Sequence, residues 1–242
     1  MTHKSSAPTV DGFRKISFWR EESVGVITIL APGYIDNDML DEMIRVLSIA
    51  AVDEKVTSVL LTGSNYIFSR GLKVPGSRIY ADFRDYYRRI QSFLLFFMAL
   101  EKPIFSAING TVTDNGLSLA LLADEVFYSD NSKIILDNEE PTVLMGTVTV
   151  PERIRMVDGE LKIDGIETGK ESMMEDAFKR TKQLQNVSFH RARRKRFPET
   201  ERVLLQEELD FLDFYLWCEG CAEELDGRNK EDKTTSNDKS RT

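Results

Sequence analysis

The chain has 242 residues, 41% of them hydrophobic and 10% aromatic, and 40 acidic side chains against 32 basic ones leave a net charge of −8. That length suits one domain with a sizeable core, or one domain with a small helical appendage. The acidic balance weighs against nucleic acid as the main partner, and no apolar run reaches the length of a membrane span. The polar N-terminus lacks the apolar core of a signal peptide, so a cytoplasmic protein is expected.

Residues 1–14 read as a flexible N-terminus. Lys15 to Trp19 and Val24 to Leu30 predict two strands around the charged turn Arg20-Glu-Glu-Ser, a hairpin opening. Pro32-Gly33 breaks the second strand. Asp36 or Asn37 then caps a helix in which Leu40, Met43, Ile44, Leu47 and Ala51 follow the helical period. Ser58 to Thr62 predicts a strand, and Tyr66 to Lys73 a loop at its carboxyl end, where open α/β sheets place their ligands. Ser77 can cap a long helix whose Phe83, Tyr86, Ile90, Phe93, Leu94 and Phe97 recur at three and four residues, a stripe read as core packing.

The stretch from Glu101 to Asp124 organises the rest. Pro103 to Ile108 is a charge-free run with the look of a buried strand, Asn109-Gly110 turns the chain, and Leu119, Leu122 and Ala123 repeat at helical spacing. Strand, turn and helix in that order aim the first backbone N–H groups of the helix at whatever lies in front, a partial positive charge suited to an anion or a polarised carbonyl. A second N–H from the Tyr66–Lys73 loop would complete an oxyanion hole for an enolate. Further on, Val126 to Ser129 and Ile134 to Leu136 predict short strands around the turn Asp130-Asn-Ser, and the alternation of strands with helices indicates an α/β fold.

Asp137, Asn138, Glu139 and Glu140 precede Pro141, which fits the first position of a short helix. Those carboxylates either complement that helix N-terminus or lend one member to the pocket. Arg153 to Val157 and Leu161 to Ile166 predict a hairpin, followed by a helix from about Lys170 to Leu184. Residues 15–186 therefore form the expected core, 187–226 a C-terminal helical region carrying the helix Leu204 to Leu225, and 227–242 a disordered tail. Cys218 and Cys221 lie in that last helix; a single CxxC pair is a poor zinc site, so no metal is expected and a buried structural role is.

Taken as an ordered set, Val24-Gly-Val-Ile-Thr-Ile29, Asn37, Val59-Leu-Leu-Thr-Gly63, Phe68-Ser-x-Gly71-Leu72, Lys102-Pro-Ile-x-x-Ala-Ile-Asn-Gly110 and Leu119-Ala-x-x-x-Asp124 resemble the enoyl-CoA hydratase/isomerase (crotonase) superfamily. Glu219-Gly-x-Ala222 resembles its C-terminal helical pattern. The resemblance implies a crotonase-like spiral of ββα units with a C-terminal helical region, an acyl-CoA ligand, and a thioester oxygen held by the N–H groups of Leu72 and Asn115. It implies no cofactor beyond the coenzyme A of the substrate, and a homo-oligomer, trimer or hexamer, with neither nucleic acid nor membrane as partner.

The chain departs from the family at both hydratase glutamates. Ser118 stands at the first and Thr142, in Pro141-Thr-Val-Leu-Met-Gly-Thr147, at the second, and neither exchanges protons near neutrality as a carboxylate does. Asp114, Glu139 and Glu140 are the remaining acid or base candidates. Ser69, Gly71, Gly116, Ser118 and Thr142 are expected to line the substrate. Water addition is disfavoured, whereas decarboxylation needs mainly the oxyanion hole and isomerisation needs one acid or base. A non-catalytic acyl-CoA-binding or interaction subunit is the alternative. A serine hydrolase is poorly supported, because the only histidines are His3 and His190. His190 opens the basic run His190-Arg-Ala-Arg-Arg-Lys-Arg196, either a solvated face pairing with nearby glutamates or a partner for coenzyme A phosphates.

Overall fold

The computed structural model of the chain describes residues 12–73, 75, 80–136, 154–157 and 160–184. In chain order the first elements are β1 (Ile16–Glu21), β2 (Val24–Ile29), α1 (Asn37–Val52), β3 (Ser58–Gly63), β4 (Ile67–Ser69) and α2 (Tyr80–Ala99). They are followed by β5 (Ile104–Ile108), β6 (Thr111–Thr113), α3 (Asp114–Leu121), β7 (Glu125–Ser129) and β8 (Ile134–Ile135). β9 (Ile154–Val157), β10 (Glu160–Ile163), β11 (Ile166–Thr168) and α4 (Met173–Gln183) complete the described chain.

β1 and β2 form the expected antiparallel hairpin, in register from Ile16↔Ile29 to Glu21↔Val24. They head a six-stranded sheet in the order β1-β2-β3-β5-β7-β11, parallel from β2 onward. Every residue of β3 and β5 is buried because both faces of this sheet are covered, the condition under which strands become continuous apolar runs. One face carries the large core with α1, α2 and α3. On the other, Met173 and Ala177 of α4 close over Val24, Val26, Leu60, Phe105 and Phe127, and Arg180 forks onto Glu125 of β7 at 2.9 and 2.8 Å.

Asp36 is the residue that caps α1, its Oδ1 accepting the Met39 N–H at 3.0 Å. The buried stripe of α1 runs through Met39, Leu40, Met43, Val46, Leu47 and Ala50, and it includes Glu42. The expected Ala51 faces solvent, one step round the helix. All six apolar positions expected on α2 are buried, and the Tyr86 hydroxyl donates to the Ile35 carbonyl. Ser77, the expected cap of α2, lies outside the described residues, as do 137–153 with Glu139, Glu140 and Thr142, and 185–242 with the basic run, both cysteines and the last helix.

A second sheet of three parallel strands, β4-β6-β8, crosses beside the first. Part of the Tyr66–Lys73 loop is thus strand β4, and the residues after Gly110 form β6. Three-residue strands are too short to show a period in sequence. The two strands expected around Asp130-Asn-Ser both form, in different sheets. The Ser132 hydroxyl donates to the Ile108 carbonyl at 2.6 Å and accepts the Ser129 N–H at 3.0 Å, turning the chain off the large sheet onto the small one. The expected second hairpin is present as β9 with β10. Among the described residues no helix is long and apolar enough to cross a membrane.

Candidate functional site

The site grows from the two places where the chain leaves the large sheet for the small one, Gly63 at the end of β3 and Asn109 after β5. The Asn109 side chain ties them together: Nδ2 donates to the Gly63 carbonyl at 2.7 Å and Oδ1 accepts the Gly63 N–H at 3.2 Å. Backbones pass so closely here that a methyl group on Gly63 would lie 2.0 Å from the Ile67 carbonyl oxygen, and one on Gly110 1.9 Å from that of Tyr66. The same Tyr66 oxygen accepts the Thr111 N–H at 2.8 Å, which starts the β4–β6 ladder. Glycine is required at both crossings by space, not by dihedral angle.

Beyond β4 the chain runs beside the segment that links β2 to α1. The Gly33 carbonyl, in a turn at φ 77°, accepts both the Arg70 N–H and the Ser69 hydroxyl at 2.9 Å. The Ile35 N–H donates to Gly71 at 2.8 Å, and the Lys73 N–H donates to Ile35 at 2.9 Å. Residues 71 and 73 thus face Ile35 across a parallel bridge whose centre is Leu72. Both main-chain bonds to Ile35 are therefore made by residues 71 and 73 and not by Leu72 itself. Gly71 adopts φ 79°, a value glycine takes without a side-chain clash, and its N–H donates to Ser69 Oγ at 3.2 Å.

β6 delivers the chain directly into α3. Thr113 is the N-cap, but its side chain makes no capping bond, and its Oγ1 is buried without a partner. Asp114 and Asn115 occupy the first turn, where N–H groups have no acceptor within the helix and the dipole is positive. Gly116 follows, and a methyl group there would lie 2.7 Å from Cβ and 2.8 Å from Oγ of Ser69. The first turn of α3 therefore rests on Ser69, three residues before Leu72 and paired in the small sheet with Val112. Ser69 is the common wall of the two loops.

Ser69, Gly71 and Leu72 lie in β4 and the loop after it, Asp114, Asn115, Gly116 and Ser118 lie in α3, and the close approach of Gly116 to Ser69 joins the two groups. Ser69 is fully buried between Gly33, Gly71 and Gly116. Ser118 is buried too, and its hydroxyl donates back to the Asp114 carbonyl at 3.0 Å. Asn115 is 1% exposed, Leu72 7%, and Asp114 is half-buried. Asp124 has a structural task at the far end of α3: its Oδ2 accepts the Ile104 N–H at 2.8 Å, and its own N–H donates to the Ile104 carbonyl at 2.8 Å. Glu139, Glu140 and Thr142 lie outside the described residues. The cross-braces at Gly33, Ile35 and Asn109 were not foreseen; the turn signals Pro32-Gly33 and Asn109-Gly110 mark their places in sequence but not their bonds.

Residues 20–153 match the family model described as enoyl-CoA hydratase/isomerase. The chain is 24% identical over 168 residues to a mitochondrial enoyl-CoA hydratase of Pongo abelii, an alignment covering 65% of this chain and 56% of that one. It is 28% identical over 142 residues to 4-chlorobenzoyl coenzyme A dehalogenase-1 of Arthrobacter sp, covering 55% of this chain and 48% of the other. The chain spans about half the length of these two curated relatives. Among solved structures, human mitochondrial delta3-delta2-enoyl-CoA isomerase superposes with a TM-score of 0.72 at 19% identity, over 91% of this chain and 100% of the other. An enoyl-CoA hydratase/isomerase from Xanthobacter autotrophicus Py2 gives 0.67 at 17% identity, over 85% and 88%. These likenesses identify the fold.

Proposed function

The chain belongs to the enoyl-CoA hydratase/isomerase family, and from that premise we propose that it acts on an acyl-CoA thioester through an enolate whose oxygen is held by the N–H groups of Leu72 and Asn115. The observation that carries this reading is the contact of Gly116 with Ser69, which sets the first turn of α3 against the loop bearing Leu72. The bridge to Ile35 is bonded through residues 71 and 73 and does not use the Leu72 amide. Two main-chain donors aimed at one developing oxyanion stabilise it without reorganisation, and losing one such donor costs about 3 kcal/mol of barrier in a well-built site. The exposed Arg70 and Lys73 flank Leu72 and offer cations to the phosphates of coenzyme A.

Proton transfer separates the possible reactions. The Ser118 hydroxyl is turned to the Asp114 carbonyl and stands where a hydratase would carry a carboxylate, so water addition is disfavoured. Decarboxylation of an α-carboxyacyl thioester, with its carboxylate on the carbon next to the thioester carbonyl, needs less. The Cα–carboxylate bond breaks, its electron pair becomes the enolate, carbon dioxide leaves, and a proton from water quenches the α-carbon. Isomerisation requires a mobile proton, for which Asp114, Glu139 and Glu140 are the candidates. A homo-oligomer, trimer or hexamer, in the cytoplasm accompanies this proposal.

Titration calorimetry with saturated, enoyl and α-carboxyacyl-CoA thioesters, run beside product analysis by mass spectrometry, tests it. Binding with release of carbon dioxide or migration of a double bond is the expected outcome. Binding without product favours the second reading, an acyl-CoA-binding subunit, motivated by the buried Asn115 in the turn. Absence of binding rejects both.

A further inference from the structure

The outward stripe of α2 is not used by the site. At 100° per residue, Arg88, Ser92, Leu95 and Ala99 share one line along the helix, spaced by four, three and four residues as in an antiparallel or parallel helix pair, with Phe96 beside it. All five are exposed, Leu95 at 51% and Phe96 at 46%. Large apolar side chains in adjacent exposed positions on the outward face of an amphipathic helix mark a contact surface.

The charges around the stripe indicate what covers it. The Arg88 side chain, at one end, has no hydrogen bond or ion pair among the described residues, and neither has that of Glu101, exposed just past the other end. α2 also has no basic residue in its last turn, the place where a cation complements the helix dipole. An antiparallel second copy about a two-fold axis midway between Ser92 and Leu95 answers each of these at once. Leu95 of one protomer then packs over the small Ser92 of its partner, Arg88 lies by the partner's Ala99, carbonyl end and Glu101, and each contact is made twice.

We propose that α2 is a self-complementary interface through which two copies of this chain associate, with Leu95 and Phe96 at its centre and Arg88 and Glu101 as its charge pair. Sedimentation of the full chain across the micromolar range, for wild type and for the Arg88→Glu, Glu101→Arg and doubly reversed variants, tests it. Wild type is expected to form a dimer or a multiple of one, which the hexamer satisfies and a lone trimer would contradict. Each single reversal sets like charges together and weakens association roughly tenfold, and the double reversal recovers most of the loss because opposite charges face again.

As a second measurement, Ser92→Cys combined with Leu95→Cys, both surface changes, is expected to give an intermolecular disulfide under mild oxidation. A chain that stays monomeric, single reversals without effect, or a double reversal no better than the singles overturns the proposal. So does a Leu95→Asp variant of unchanged mass whose segment 185–242 becomes more open to protease, since the chain's own C-terminal part would then be the cover.

Discussion

Gly116 is small because of Ser69. A Cβ at 2.7 Å from another carbon has nowhere to go when the obstacle is a short side chain fixed by bonds to Gly33 and Gly71. Gly116→Ala is therefore expected to cost about 1–3 kcal/mol by overpacking and to lower turnover by lifting the first turn of α3 off β4. Chemical denaturation and steady-state kinetics check the two effects. A second residue, Glu42, was hidden from periodicity because it is charged on a buried helical face. Its carboxylate accepts the backbone N–H groups of Arg14 and Lys15 at 2.8 Å and of Ile16 at 3.1 Å, which ties the start of β1 to α1. Glu42→Gln puts an amide donor against those donors, and a loss of about 1.5–3 kcal/mol in denaturant unfolding is expected.

The ends of α1 hold two lysines whose environments oppose each other. Asp36 caps the helix with one oxygen and accepts Lys15 Nζ with the other at 2.6 Å, and this hydrogen bond, reinforced by nearby acids, raises the Lys15 pKa above its ordinary value despite some burial. At the C-terminal end, Lys102 Nζ donates to the Ala50 and Asp53 carbonyls at 2.6 and 2.8 Å, and burial lowers its pKa although Asp53 and Glu54 pull the other way. The signs follow from linkage. The stabilisation from Lys15 is complete below its ordinary pKa of 10.5 and is lost as pH rises through the raised value. For Lys102 the unfolded chain binds the proton more tightly, so the cost of its charge is relieved as pH rises from the lowered value toward 10.5. Lys15→Met should thus lose under about 1 kcal/mol at neutral pH, with the deficit vanishing in alkali, whereas Lys102→Met should look progressively worse against wild type as alkali is approached. Urea midpoints measured from neutral pH upward give both slopes. Of these devices, Asp36 was visible as one of two possible caps before the helix, because capping is local. The Lys102 cap was not, because it joins residues about fifty positions apart.

At the scale of the whole molecule, the large sheet was legible and the small one was not. β2, β3 and β5 announce themselves as charge-free runs because both their faces are covered. β4, β6 and β8 are short, contain Ser69, Thr111 and Thr113, and exist because neighbouring strands and glycine crossings position them. Leu72 and Asn115, the proposed oxyanion donors, follow β4 and β6 of this second sheet, so the link between the sheets governs their placement. That link includes the double hydrogen bond from Asn109 to Gly63. Asn109→Asp keeps the acceptor for the Gly63 N–H but replaces the donor with an oxygen facing the Gly63 carbonyl, while leaving volume unchanged. A cost of about 1–3 kcal/mol is expected from the unmet carbonyl. Because the lost bond joins the two points where the chain leaves the large sheet for the small one, amide exchange should quicken in residues 64–73 and 111–116 more than in β2, β3 or β5. If Leu72 and Asn115 hold the oxyanion jointly, turnover should fall more than substrate affinity, since a loosened pair of donors still admits the ligand yet no longer matches the transition state. Uniformly faster exchange across both sheets would instead mean that Asn109 supports the fold as a whole, with no special coupling to the site.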